Sequence, residues 1–109
     1  MKLITKEIAA KLSKNVGNAE VDKPYLKLFN PCGAATWLIS EYDEGTGLLF
    51  GLCDLGMGYP ELGYVSLEEI KSVKVPPFGL GIERDIHFNP SKTLAGYADD
   101  AKRDGHINA

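Results

Sequence analysis

Apolar residues return every fourth position from Ile4 through Ile8 and Leu12 to Val16, with Lys6, Lys11 and Lys14 on the other side. That spacing draws one apolar stripe on a helix, and Thr5 stands where an N-cap hydroxyl can accept from the first orphan amides. The pattern predicts a first helix ending near Asn15-Val16-Gly17-Asn18, then a polar connector over Ala19 to Lys23.

Beyond Pro24 the period shortens. Tyr25-Leu26-Lys27-Leu28-Phe29 reads as a strand whose opening position tolerates the N–H that proline lacks. A turn at Asn30-Pro31-Cys32-Gly33 precedes a β-branched and aromatic run from Thr36 to Tyr42. Asp43-Glu44-Gly45-Thr46-Gly47 then predicts a longer hairpin loop onto a returning strand, Leu48 to Asp54. Gly51 inside that strand predicts a bulge or a close backbone approach beneath Trp37. The glycine-rich Leu55-Gly56-Met57-Gly58-Tyr59-Pro60 carries no phosphate-loop pattern and opens no helix, so it reads as connector.

From Glu61 to Pro90 the punctuation is densest. Gly63-Tyr64-Val65 runs as a strand into Ser66, and the S-x-x-E spacing to Glu69 predicts a capping box. Leu67 and Ile70 share a face of the helix that follows, which Val73, Val75 and Pro76-Pro77 hold to about two turns. After the apolar corner Phe78-Gly79-Leu80-Gly81, period 2 places Ile82, Ile86 and Phe88 on one face of a strand. Glu83, Asp85 and His87 fall on the other, and Arg84 lands on the apolar side, where its guanidinium needs an acceptor. Leu94, Tyr97, Ala98 and Ala101 suggest a weak amphipathic turn or two, while 99–109 reads as a frayed polar tail behind a single domain over 1–98.

Strands beginning at 25, 36, 48, 62 and 82 imply an α+β fold: a mostly antiparallel sheet of four to five strands, with helices on one face. An N-terminal helix and a short helix after the fourth strand complete it.

Composition adds constraints. A chain of 109 residues with 44% apolar and 25% charged residues is an ordinary globular domain. Its net charge of -3, without a lysine or arginine block, argues against nucleic acid or an anionic membrane as main partner. The start of the chain lacks the apolar run of a signal peptide and no later run is long enough to span a bilayer, so the expected location is cytoplasmic. Cys32 and Cys53, with no C-x-x-C pair, read as reduced, buried small hydrophobes.

The string from LITKEIAAKL through Phe29-Asn30-Pro31, Thr36-Trp37, Glu41-Tyr42-Asp43, Leu49-Phe50-Gly51-Leu52 and LGYVSL to GLGIERDIHF resembles a family of small bacterial proteins of unknown function. Such proteins are often carried on plasmids, conjugative elements and prophages. The chain departs from the family at Ala35, where a second aromatic is usual, and at Gly81, where proline is usual. The resemblance implies one domain in a mobile-element setting and brings no activity with it.

Candidate chemistry centres on Glu83, Asp85 and His87, spaced about 6.5 to 7 Å apart along an ideal strand. Asp85 could orient His87 as a general base, in a small metal-binding or acid-base enzyme. The alternative is a solvated face whose acids pair with Lys27, Lys71 or Lys74. A zinc site would have to draw on Cys53, Asp54, Asp85 and His87, which lack paired spacing, so no metal and no cofactor is expected. Trp37, Tyr42, Tyr59, Tyr64 and Phe78 either surround a pocket or, for the most part, fill the core. The reading that best fits is a non-enzymatic accessory protein binding a protein partner through Trp37, Glu41, Glu83, Asp85 and His87.

Overall fold

The computed structural model of the chain describes residues 2–17 and 23–109, so Asn18 and most of the expected connector, 19–22, lie outside the described residues. Helix α1 spans Lys6–Ser13, and Thr5 Oγ1 accepts from the Ile8 amide at 3.2 Å, as the N-cap reading requires. Leu12 is fully buried, with Ile4 and Ile8 packed beside it. Val16 is exposed instead, because α1 stops at Ser13 and the fourth member of the stripe falls beyond the helix.

Five strands follow in the expected places: β1 (Leu26–Phe29), β2 (Thr36–Asp43), β3 (Leu48–Asp54), β4 (Glu61–Ser66) and β5 (Glu83–Arg84). They form one antiparallel sheet in the order β4-β3-β2-β1-β5. Helix α2 (Leu67–Ser72) leaves the end of β4, and α3 (Leu94–Asp104) comes last. The fold class is therefore the α+β architecture read from the sequence.

Alternation along β2 decides how the layers stack. Trp37 and Ile39 face one side with Leu26, Leu28 and Leu49, where Leu12 of α1 and Leu67 and Ile70 of α2 cover them. Leu38 faces the opposite side with Leu52, against Leu94, Tyr97, Ala98 and Ala101 of α3. Helices thus cover both faces, not the single face expected, because every second apolar residue of these central strands needs its own cover. Burying a leucine this completely is worth about 1.5 to 3 kcal/mol relative to exposure.

The bulge lies where Gly51 signalled it. Ile39 pairs with Gly51 but Glu41 with Phe50, which leaves Ser40 as the extra residue. The close approach is to the backbone of Leu38 and Ile39 and not beneath Trp37. Since β1 ends its pairing at Ile39, the rest of β2 pairs with no strand on that side among the described residues. The segment leaving α1 takes the neighbour's place: Ser13 Oγ donates to the Tyr42 carbonyl at 3.3 Å and Asn15 Nδ2 to the Ser40 carbonyl at 3.0 Å.

Two expectations need correction. The period-2 strand over 82–88 is paired for two residues, Glu83 and Arg84, after which the chain turns. Asp85 causes the turn: its Oδ1 accepts from the His87 amide at 2.9 Å and its carbonyl from Phe88 at 3.3 Å, an Asx-turn that competes with the ladder. Ile86 is 63% exposed as a result, so it does not share a buried face with Ile82. The frayed tail also gives way: α3 continues to Asp104, Ala101 is fully buried, and Ile107 packs on the same cluster. Thr93 caps α3 through Gly96 at 3.2 Å, and Gly105 ends it at φ 78°.

At α2, Ser66 Oγ accepts from the Glu69 amide at 3.3 Å, the hydroxyl half of the expected box. Ser66→Ala is expected to lower stability by about 1 kcal/mol in chemical denaturation, with Glu69→Ala costing less.

Candidate functional site

The sequence-predicted site residues do not come together on one face. Trp37 is buried in the core between Leu28 and Cys53 in register, and Glu41 is buried with its Oε2 accepting from the Gly17 amide at 2.9 Å. Both therefore act inside the fold. Glu83 pairs with Phe29 in β5. Asp85 lies 3.4 Å from Lys27 Nζ, as the ion-pairing alternative anticipated, while Lys71 pairs with Glu68 on its own helix at 3.7 Å.

His87 is exposed, and its backbone, not its ring, meets Asp85. With one carboxylate oxygen taken by that amide and the other beside Lys27, Asp85 is not placed to orient the imidazole as a general base. The four candidate metal ligands are dispersed in the same way. Cys53 packs toward the α1 face, whereas its neighbour Asp54 accepts from the amides of Gly56 at 2.8 Å and Ile107 at 3.0 Å. Among the described residues no three His, Cys, Asp or Glu side chains gather where one ion could be held.

What the fold does build at this end is a groove. β1 and β5 are short, so the sheet stops, and α1 on one side faces the 86–93 segment that leads into α3 on the other. The space between is about 580 Å³. Lys11, Lys23, Lys27 and Arg84 line it against two carboxylates, Glu7 and Asp85, while Ile8, Tyr25, Ile86 and Phe88 supply apolar wall.

Local chemistry holds these cations in place. Lys11 Nζ lies 5.5 Å from the centre of the Tyr25 ring and Lys27 Nζ 6.0 Å from that of Phe88, both within cation–π range. Lys27 also donates to the Ala109 carbonyl at 2.8 Å, and Arg84 to the Lys2 carbonyl at 2.8 Å, which gives the guanidinium the acceptor its apolar-side position demands. Asp85 is the one residue shared with the sequence-derived site. The lysines were missed because they come from separated elements with no local charge run; the signal for them was the pair Tyr25 and Lys27 at the start of a strand preceded by Pro24.

The aromatic residues divide. Trp37 and Tyr97 are buried, but Tyr59, Tyr64 and Phe78 are mostly exposed, contrary to the expectation that most would fill the core.

The two cysteines are free and differ in environment. Burial pushes the Cys53 thiol up to about 11, whereas Cys32 is exposed, contrary to the buried position expected for it. The raised value belongs to the folded state, so this contribution to stability is complete below the ordinary thiol range near 9 and is lost as pH climbs toward 11. A disulfide-exchange reagent at mildly alkaline pH should label Cys32 quickly and Cys53 slowly, and equal rates would contradict the burial argument.

Fold and groove together define a small α+β domain with an open cationic cleft at the corner of its sheet. Residues 3–108 match the family model DUF2958, described as a protein of unknown function, and the chain belongs to that family. No curated protein and no solved structure matches it. None of the helices among the described residues is long and apolar enough to cross a membrane.

Proposed function

We propose that this chain is a non-enzymatic accessory protein that works in the cytoplasm and binds a protein partner, docking an acidic segment of it in the groove between α1 and the 86–93 segment. The observation that carries the reading is the local charge: four cationic side chains against two carboxylates in a chain of net charge -3. Field focused in a cleft recruits the opposite charge and sets orientation, and aromatic walls add contact at small entropic cost. The mobile-element setting rests on the resemblance carried by the LGYVSL and IERDIHF strings.

The test uses Lys11→Glu together with Lys23→Glu, both exposed, with the circular dichroism spectrum and urea midpoint of the double variant compared with those of the unaltered protein. A short glutamate-rich peptide should bind the unaltered protein, more weakly as salt rises, and bind the double variant at least about tenfold more weakly. A photo-crosslinker placed at Ile86 should then join the unaltered protein, but not the variant, to one host protein. Equal binding by the two proteins refutes the groove.

A further inference from the structure

The far side of the sheet carries an independent feature. β4 is an outer strand, paired with β3 through Leu48–Ser66 to Cys53–Glu61 without a bulge. Among the described residues, no backbone hydrogen bond outside that ladder reaches 61–66. Outer strands usually carry a defence such as a lysine, an internal proline, a bulge or very short length. β5, at the other edge, has the last of these with two residues, whereas β4 has six and contains neither lysine nor proline.

The surface next to β4 is apolar. α3 packs over β2 and β3, and Tyr64 is 67% exposed with its ring against Phe50, centroids 4.9 Å apart and nearly edge to face. Leu62 lies in the same row, and a side chain at Gly63 would meet nothing within 4 Å.

We propose that β4 pairs with β4 of a second copy of this chain, antiparallel and centred on Gly63. In that register Leu62 lies opposite Tyr64 of the second copy and the reverse, so each apolar row runs on from Leu52 and Leu62 into Tyr64 and Phe50 across the junction. Glu61, the only charge in the strand, meets Val65, and no like charges oppose each other. Of the two adjacent registers, the one centred on Tyr64 sets Leu62 against Ser66, whose hydroxyl is already capping α2, and the one centred on Leu62 sets Tyr64 against Pro60, which has no N–H to pair. With β5 too short to receive β4, the contact is isologous and closes as a two-fold dimer with a continuous ten-stranded sheet, not a growing fibre.

Sedimentation equilibrium should give twice the 11.9 kDa chain mass, with dissociation on dilution. Tyr64→Lys, at an exposed site, should return the mass to one chain while leaving the circular dichroism spectrum unchanged. Gly63→Cys in a Cys32→Ser background should be joined into a covalent dimer by a short bis-maleimide, a readout that does not depend on destabilising anything. The proposal is overturned by an unaltered protein that stays monomeric at every concentration, which would leave the edge to a strand of a different protein. A dimer that survives Tyr64→Lys, or a Gly63→Cys variant that does not crosslink, overturns it equally.

Discussion

Gly51→Ala is expected to be the most damaging single methyl group that can be added to this protein, lowering stability by about 4 kcal/mol or preventing folding altogether. A Cβ at that position would stand 2.0 Å from the Leu38 carbonyl oxygen and 2.8 Å from the Ile39 Cα. Both are backbone atoms of the central strand, so no rotamer change can relieve the overlap. Relief requires β2 and β3 to separate at the bulge, which would break pairing beside Leu38, Ile39 and Leu52, all fully buried. Gly63→Ala, one strand further out and with open space above it, provides the control and should change stability by less than about 1 kcal/mol. Urea titrations of the two variants that gave equal midpoints would show that the bulge is not under the contact described.

Asp54→Ala should be the next largest loss, about 3 kcal/mol, with its effect concentrated at the end of the chain. The Asp54 carboxylate is buried and takes one backbone amide on each oxygen, from Gly56 in the β3–β4 loop and from Ile107 beyond α3. Hydrogen bonds to a charged acceptor contribute about 1.5 to 3 kcal/mol each, and removing the acceptor leaves two donors to find water. Amide hydrogen exchange should accelerate at Gly56 and Ile107 before it does in β2. Uniform acceleration across the sheet, or none at Ile107, would contradict a local tether.

How far the sequence reached is visible at its two hardest places. The 82–88 stretch has good period-2 alternation, yet Asp85 also has the residue type that captures an amide two positions on, and in the structure that turn ends the ladder after Arg84. Periodicity cannot rank a strand against an Asx-turn; β1 runs on to Leu26, opposite Ile86 in this register, so the Asp85 turn and not the end of β1 stops the ladder. At the other end, Thr93 and Gly105 bracket α3 with a cap and a left-handed stop, but the polar residues between them read as tail. What fixes that helix is the sheet face under Leu94, Tyr97, Ala98 and Ala101, which no local window contains.

Local chemistry was enough to determine the first four strands, the β2–β3 hairpin, the caps at Thr5 and Ser66 and the Gly51 bulge, because each depends on residues within a few positions or on one strand pair. The same chemistry set the α+β class. Tertiary structure decided the two-sided covering of the sheet, the burial of Trp37 and Glu41, and the meeting of Lys11, Lys23, Lys27 and Arg84 around one groove. Those outcomes depend on which faces remain uncovered once the elements have packed, a long-range property that spacing along the chain does not encode.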